Sequence, residues 1–208
     1  MQAITVCLNY TDYLAIALRH NRKHFKSYYI VTSEEDSATL ALCKEFDCTP
    51  LLLKCEADFV KKSMMSQGLK MLPRPGWIQI LDADIVLPEE YATITASVEN
   101  FDRDTLYGCQ RVFCQNKLVW DMFGMTDLTC YEEETNPRAV GIGFFQLFHA
   151  RAQALASVQD WYAVANDHKA ADMSFRARFC SIQKLPLAAV HLGPASVNWY
   201  GRRSPKFV

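Results

Sequence analysis

Apolar and polar positions alternate between two periods along the first ninety residues. Short apolar runs occur at 3–8, at Tyr28-Tyr29-Ile30-Val31-Thr32, at Pro50-Leu51-Leu52-Leu53-Lys54 and at Trp77 to Leu81. Each reads as a buried strand. Between them lie stretches with helical spacing. The first runs from about Tyr13 to Lys23, with Thr11 or Asp12 placed to cap it. The second starts at Ser33-Glu34-Glu35-Asp36, where acids suit a helix amino end, and reaches about Phe46. The third covers 59–72 and stops at Pro73-Arg74-Pro75-Gly76. Strand and helix in alternation predict a parallel sheet built from βαβ units. Ligands of such sheets bind beyond the carboxyl ends of the strands. Asn9-Tyr10, Thr32 to Asp36 and Asp82 to Asp84 therefore belong on one rim.

The later chain is less regular. Thr105 to Phe113 reads as a strand and Glu132 to Pro137 as an acidic loop. Ala139 to Ala150 is an apolar run in which Gly141 and Gly143 allow close approach of backbone or ligand. Arg151 to Tyr162 and Ala170 to Phe179 read as helices. The stretch 198–208 is basic and polar. No repeat, low-complexity tract or linker is apparent, so one continuous domain is expected over 1–208.

The segment Ile80-Leu81-Asp82-Ala83-Asp84-Ile85-Val86-Leu87-Pro88 carries the strongest chemical signal. An apolar run stops on two carboxylates spaced i, i+2 and then resumes. Carboxylates at the end of a buried strand cost desolvation unless a cation neutralises them. A divalent metal carrying a phosphate ester does this, because hard cations prefer oxygen ligands and keep positions open for phosphate. A bare D-x-D triplet is weak by itself; its place after three βα units is what gives it meaning.

His191-Leu192-Gly193-Pro194 ends a further apolar segment. Its imidazole is a candidate to complete a Mg²⁺ or Mn²⁺ site begun by Asp84, and Mn²⁺ tolerates nitrogen better. Arg202 and Arg203, in Asn198-Trp199-Tyr200-Gly201-Arg202-Arg203, are candidates to bind diphosphate oxygens. Asp167 and Asp172 precede or enter a helix. One of them can cap it, and the other can serve as a general base toward an acceptor hydroxyl, with Asp172 preferred and Asp167 second. Lys61 and Lys62 open the helix before the D-x-D strand, either as a solvated face or within reach of phosphate.

Composition narrows the picture rather than directing it. The 208 residues are 50% hydrophobic and 22% charged, as in ordinary globular domains, and the net charge of -1 gives no basic footprint for nucleic acid. Every apolar run is broken by charge, so no transmembrane segment is expected. The opening residues read as a first strand, not a leader. Eight cysteines lack C-x-x-C spacing, and free thiols in a reducing cytoplasm are the expected state. There is no G-x-S-x-G, no G-x-x-x-x-G-K-[ST], and no G-x-G-x-x-G after the first strand. Serine hydrolases, P-loop enzymes and dinucleotide oxidoreductases are thereby disfavoured.

In the order Leu8 to Leu14, Val31 to Thr39, Ile80 to Pro88, Gly141 to Phe148, Ala171 to Phe175 and His191 to Arg203, the chain resembles GT-A-type glycosyltransferases. The likeness is to the small family-2-like enzymes of bacteria and phages and covers nearly the whole length. The resemblance implies a GT-A fold, a Rossmann-like, mostly parallel α/β sheet flanked by helices with a D-x-D metal site. It implies a nucleotide-binding half at 1–88 and an acceptor-binding half at 89–208. It also implies a nucleotide-diphosphate sugar donor, a UDP-sugar first among them, and Mn²⁺ or Mg²⁺.

Carried over by position, Asn9 and Tyr10 line the base pocket, Thr32 lies with them, and Glu34 or Asp36 contacts base or ribose. Asp82 touches ribose or metal, and Asp84 and His191 ligate the metal. Lys61, Arg202 and Arg203 face the donor. Gly141, Gly143, Phe145 and Trp199 form the acceptor side, and Asp172 is the base if the enzyme inverts. The acceptor itself, whether glycan, lipid, protein or modified base, is not implied. The stretch Phe59-Val60-Lys61-Lys62 departs from the family's Phe-Asn-Lys-Gly, which leaves a catalytically degenerate nucleotide-sugar-binding protein as the alternative reading. A nucleotidyltransferase would need a glycine-rich basic loop after the first strand, which Asn9 to Leu14 lacks.

Overall fold

The computed structural model describes residues 1–54, 61–73, 76–136, 139–158, 160–161, 170–193 and 204–208. Its centre is a parallel array of β1 (Gln2–Val6), β2 (Ser27–Ser33), β3 (Thr49–Leu53) and β4 (Trp77–Leu81), in spatial order β3-β2-β1-β4. The predicted βα rhythm is present. α1 (Thr11–Asn21), α2 (Ser37–Glu45) and α3 (Lys61–Met71) connect these strands.

β1 and β4 are buried on both faces, which is why they read as unbroken apolar runs rather than alternating ones, while the edge strand β3 exposes Thr49, Pro50 and Leu52. Ala3 and Cys7 pack on one side with Leu14 and Leu18 of α1. Ile4 and Val6 point to the other side, against Met64, Met65 and Leu69 of α3. Cys7, Cys43, Cys48, Cys109 and Cys114 are buried, Cys130 and Cys180 are exposed, and no disulfide links them. Cys55 lies outside the described residues. Among the described residues no helix is long and apolar enough to cross a membrane.

Beyond β4 the direction changes. β8 (Phe145–His149) pairs antiparallel with β4, and β6 (Thr105–Cys114) antiparallel with β8. β9 (Ser181–Leu192) then runs parallel to β6 and carries the short β5 (Ile85–Val86) on its far side. The two-residue β7 (Glu132–Glu133), within the predicted acidic loop, pairs with β6. Three further helices are α4 (Glu90–Thr95), α5 (Lys117–Phe123) and α6 (Ala170–Arg176). The pairing of β5 with β9 sets Ile85 opposite His191, and so brings the end of β9 to the D-x-D turn.

Two expectations are corrected. Arg151 to Tyr162 is not a helix over its described part. It holds one 3-10 turn, Gln153–Leu155. Leu155 and Trp161 bury in the core, while Asp160 accepts from Ser66 Oγ at 2.6 Å and pairs with Lys70 at 2.7 Å. These anchors onto α3 set the path of the chain against its helical propensity. Nor do Thr11 or Asp12 cap α1. The cap position is Tyr10, without a side-chain cap bond, and Asp12 Oδ2 instead accepts from the Phe207 backbone N–H at 2.6 Å.

Gly68 shows how closely α3 lies on the sheet. A Cβ there would collide with Val31 Cγ2 and stand 3.1 Å from Ile4 Cδ1. Val31 is β-branched and buried, so it has little freedom to yield. Gly68→Ala is expected to destabilise the protein by about 1–3 kcal/mol despite alanine's better helix propensity, measured by denaturant unfolding.

Candidate functional site

In the order β3-β2-β1-β4 the chain reverses direction of winding between β1 and β4, the crevice where ligands of such sheets bind. The loop after β1 and the turn after β4 border it. That turn is tied on both sides. The Asp82 N–H donates to Phe144 O at 3.2 Å, and Asp84 O accepts from the Leu192 N–H at 2.8 Å. One tie brings the Gly141 to Phe144 loop against Asp82, and the other brings the end of β9 against Asp84.

Four charged side chains meet there. Lys61 Nζ, at the start of α3, is 2.5 Å from Asp82 Oδ1 and 3.9 Å from Asp172 Oδ2, and it donates to Gly143 O at 3.5 Å. Asp172, in the first turn of α6, lies directly on Gly143, where any Cβ would overlap its carboxylate. Glycine is required at 143 because the acid occupies the space a side chain would fill. Asp84 is 7% exposed; its Oδ2 accepts from the Tyr10 hydroxyl at 3.4 Å and lies 3.7 Å from His191 Nε2. Its Oδ1 is buried with no hydrogen-bond partner among the described residues.

The electrostatics reflect this crowding. Burial opposes the Lys61 ammonium, but Asp82 and Asp172 outweigh it and raise the lysine above its ordinary range. Burial pushes the Asp82 carboxyl up to about 6; Lys61 resists, while Asp84 and Asp172 add to the rise. Among the described residues three carboxylates face one ammonium, so their ionised forms sum to two negative charges.

Other predicted residues take distinct places. Asn9 is exposed in a left-handed conformation, φ 56, which asparagine tolerates. Its N–H donates to Asp36 Oδ2 at 2.8 Å. Asp36 is buried and also accepts from Thr39 N at 3.0 Å and Thr39 Oγ1 at 2.7 Å, so its carboxylate caps α2 and clamps the two loops together. Glu34 remains exposed at the rim. Thr32 is fully buried, and Phe145 is fully buried with its ring 6.1 Å from that of Tyr91. The Thr32 Oγ1 has no hydrogen-bond partner among the described residues, and Phe145 belongs to the core. Gly141, φ 75, offers its carbonyl to Gln146 Nε2 at 2.9 Å. Asp167, Trp199, Arg202 and Arg203 lie outside the described residues.

Arg111 escaped the sequence reading. Its guanidinium sits 4.8 Å from the Phe113 ring and 4.6 Å from the Phe144 ring, and Nη2 bonds Glu134 Oε2 at 2.9 Å. It fastens the Gly141 to Phe144 loop to β6. The available signal was a charge inside the apolar run of β6, where an unpaired arginine is costly.

Comparison with solved structures finds the same architecture. A TarS fragment from S. aureus in complex with UDP-GlcNAc superposes with a TM-score of 0.60 at 12% identity, covering 94% of this chain and 60% of that one. Mannosyltransferase PcManGT from Pyrobaculum calidifontis, in complex with GDP-Man and Mn2+, gives 0.54 at 12% identity, covering 94% and 57%. The inositol-1-phosphate CTP transferase from T. maritima gives 0.54 at 6% identity, covering 95% and 91%.

The chain thus has the Rossmann-like mixed α/β fold of GT-A enzymes. It spans about three fifths of the first two proteins. No family model matches the sequence, and no curated protein matches it.

Lys61→Met is expected to destabilise the metal-free protein by about 1–3 kcal/mol at pH 7.5. The folded Asp82 carboxyl titrates above its unfolded value, so its cost to the fold appears as pH rises from about 4 through about 6. Removing Lys61 enlarges that cost. The loss in melting temperature is therefore larger at pH 7.5 than at pH 5, read by thermal shift across that range.

Proposed function

We propose that the protein is a metal-dependent glycosyltransferase that moves a sugar from a nucleotide-diphosphate sugar, a UDP-sugar first among candidates, to a hydroxyl acceptor. One observation carries the reading. Asp82, Asp84 and Asp172 converge with Lys61 at the crevice between β1 and β4, leaving a half-buried anionic pocket in which one buried Asp84 oxygen has no hydrogen-bond partner among the described residues.

The donor set fits a cation held jointly by protein and substrate. Among the described residues no group of three or more His, Cys, Asp or Glu is placed to hold a metal alone. Asp84 would offer a carboxylate oxygen and His191 a ring nitrogen, and diphosphate oxygens and water would complete the set. Bound Mn²⁺ or Mg²⁺ would supply Lewis-acid stabilisation to the leaving diphosphate. That other solved proteins of this fold hold UDP-GlcNAc, or GDP-Man with Mn2+, supports the class of donor.

The chain's own groups then divide the work. Asn9, with the exposed Glu34, borders the nucleoside side of the crevice. Lys61 carries positive charge between Asp82 and the acceptor side. Asp172, resting on Gly143, is the base that accepts the acceptor hydroxyl's proton in an inverting reaction. In a retaining reaction the same carboxylate orients the sugar. The division into a nucleotide-binding half, 1–88, and an acceptor-binding half, 89–208, and a cytoplasmic setting for the free thiols belong to this reading.

A cytidylyltransferase shares the fold, so fold alone does not choose between the two. The loop Cys7-Leu8-Asn9-Tyr10 supports glycosyl transfer over nucleotidyl transfer, since it has no glycine and no basic residue to cradle a triphosphate.

Nucleotide release from a panel of UDP-, GDP-, TDP- and CDP-sugars, with and without Mn²⁺ or Mg²⁺, tests the reading. Slow metal-dependent hydrolysis of one donor is expected, lost in Asp84→Ala. Metal-dependent binding of a nucleotide without any release would favour the binding-only alternative, and no response to any nucleotide would sink both. Once an acceptor is found, Asp172→Asn is expected to lower transfer by about 10²–10⁴-fold while metal-dependent donor binding persists, if the enzyme inverts. Wild-type turnover in that variant would remove Asp172 as the base.

A further inference from the structure

We propose that Tyr10 is a positioning residue for the cation site, acting through Asp84, and not a wall of the base pocket. The inference rests on the metal-assisted reading above and concerns which oxygen of Asp84 faces the cation.

Asp84 has one fixed end and one free end. Its backbone is pinned, since its carbonyl accepts from Leu192 N–H at 2.8 Å. Its carboxylate takes its orientation from the groups around it. Two groups stand beside Oδ2: the Tyr10 hydroxyl at 3.4 Å and His191 Nε2 at 3.7 Å. Oδ1 is buried and meets no hydrogen-bond donor among the described residues. A buried carboxylate oxygen without a partner is costly, and a cation relieves that cost. The hydroxyl engages Oδ2 and so presents Oδ1 as the lone pair available to a ligand.

Tyr10 is itself held by contacts within the fold. Its ring stacks on Tyr13 at 4.5 Å with the planes 20° apart. Tyr13 in turn meets Phe207 at 4.9 Å, and its hydroxyl lies 3.3 Å from Ser204 Oγ. Asp12 secures Phe207 through its backbone N–H. On the other side the Asn9 N–H is tied to Asp36. The hydroxyl is thus placed by the fold before any ligand arrives. This is the arrangement by which a group outside the coordination sphere fixes the orientation of a ligating carboxylate.

Mn²⁺ titration of the full chain, alone and with UDP present, read by electron paramagnetic resonance, tests the proposal. Tyr10→Phe keeps the ring stack and removes only the hydroxyl. It is expected to weaken Mn²⁺ binding about tenfold or more, with an unchanged melting temperature and unchanged affinity for UDP in the absence of metal. A merely structural role would move the melting temperature and spare the metal. Unchanged Mn²⁺ affinity in Tyr10→Phe, beside a clear loss in Asp84→Asn, would overturn the proposal while leaving the metal-assisted reading intact. So would a loss of metal-free UDP affinity as large as the loss of Mn²⁺, because Tyr10 would then act on the nucleotide. Absence of Mn²⁺ binding by the wild-type chain would overturn the reading and the inference with it.

Discussion

Among the described residues three carboxylates share one ammonium at the end of β4, and the surrounding structure holds them in that unfavourable company. Left to themselves, Asp82, Asp84 and Asp172 would separate into water. Backbone hydrogen bonds prevent it. The turn after β4 is fixed to Phe144 on one side and Leu192 on the other, and Asp172 is seated by a helix turn on a bare glycine. Burial raises Asp82 and Lys61 holds the arrangement together. A site that carries unneutralised charge in its resting form has binding energy in reserve for a ligand that brings cation and phosphate together.

The first half of this arrangement was legible in the sequence because it depends on periodicity. Four apolar runs separated by helical stretches dictate a parallel sheet, and a parallel sheet dictates a rim where Asn9, Glu34 and Asp84 gather. The second half depends on contacts between distant segments. The apolar segment ending at His191 shows in the sequence, but not that it is a twelve-residue strand, Ser181–Leu192, with β5 paired along it. The helical look of Arg151 to Tyr162 gives way to the anchoring of Asp160 on Ser66 and Lys70. Ser66 and Asp160 stand 94 residues apart in the chain, beyond the reach of any local pattern.

The chemistry of individual side chains was read less well than their neighbourhood. Thr32, Asp36 and Phe145 all belong to rim segments, yet Thr32 and Phe145 sit where the sheet is covered on both faces, and Asp36 is consumed by three hydrogen bonds. A short acid at the start of a helix has two competing uses, capping and ligand binding, and the backbone N–H groups within its reach usually take it. Glu34 stands two residues before the capping position of α2, too early to serve as its cap, and stays exposed at the rim.

The departure at Phe59 to Lys62 is best weighed through Lys61, whose role the geometry shows. Lys61 pairs with both Asp82 and Asp172, and its loss would leave the acids of the pocket without that counter-charge. An altered stretch that keeps Lys61 therefore preserves the pocket's charge balance. On physical grounds this favours an intact anionic site over a degenerate one. A scaffold released from catalysis has no reason to retain clustered carboxylates that cost stability, because replacing them with neutral side chains of similar size would relieve the repulsion at once.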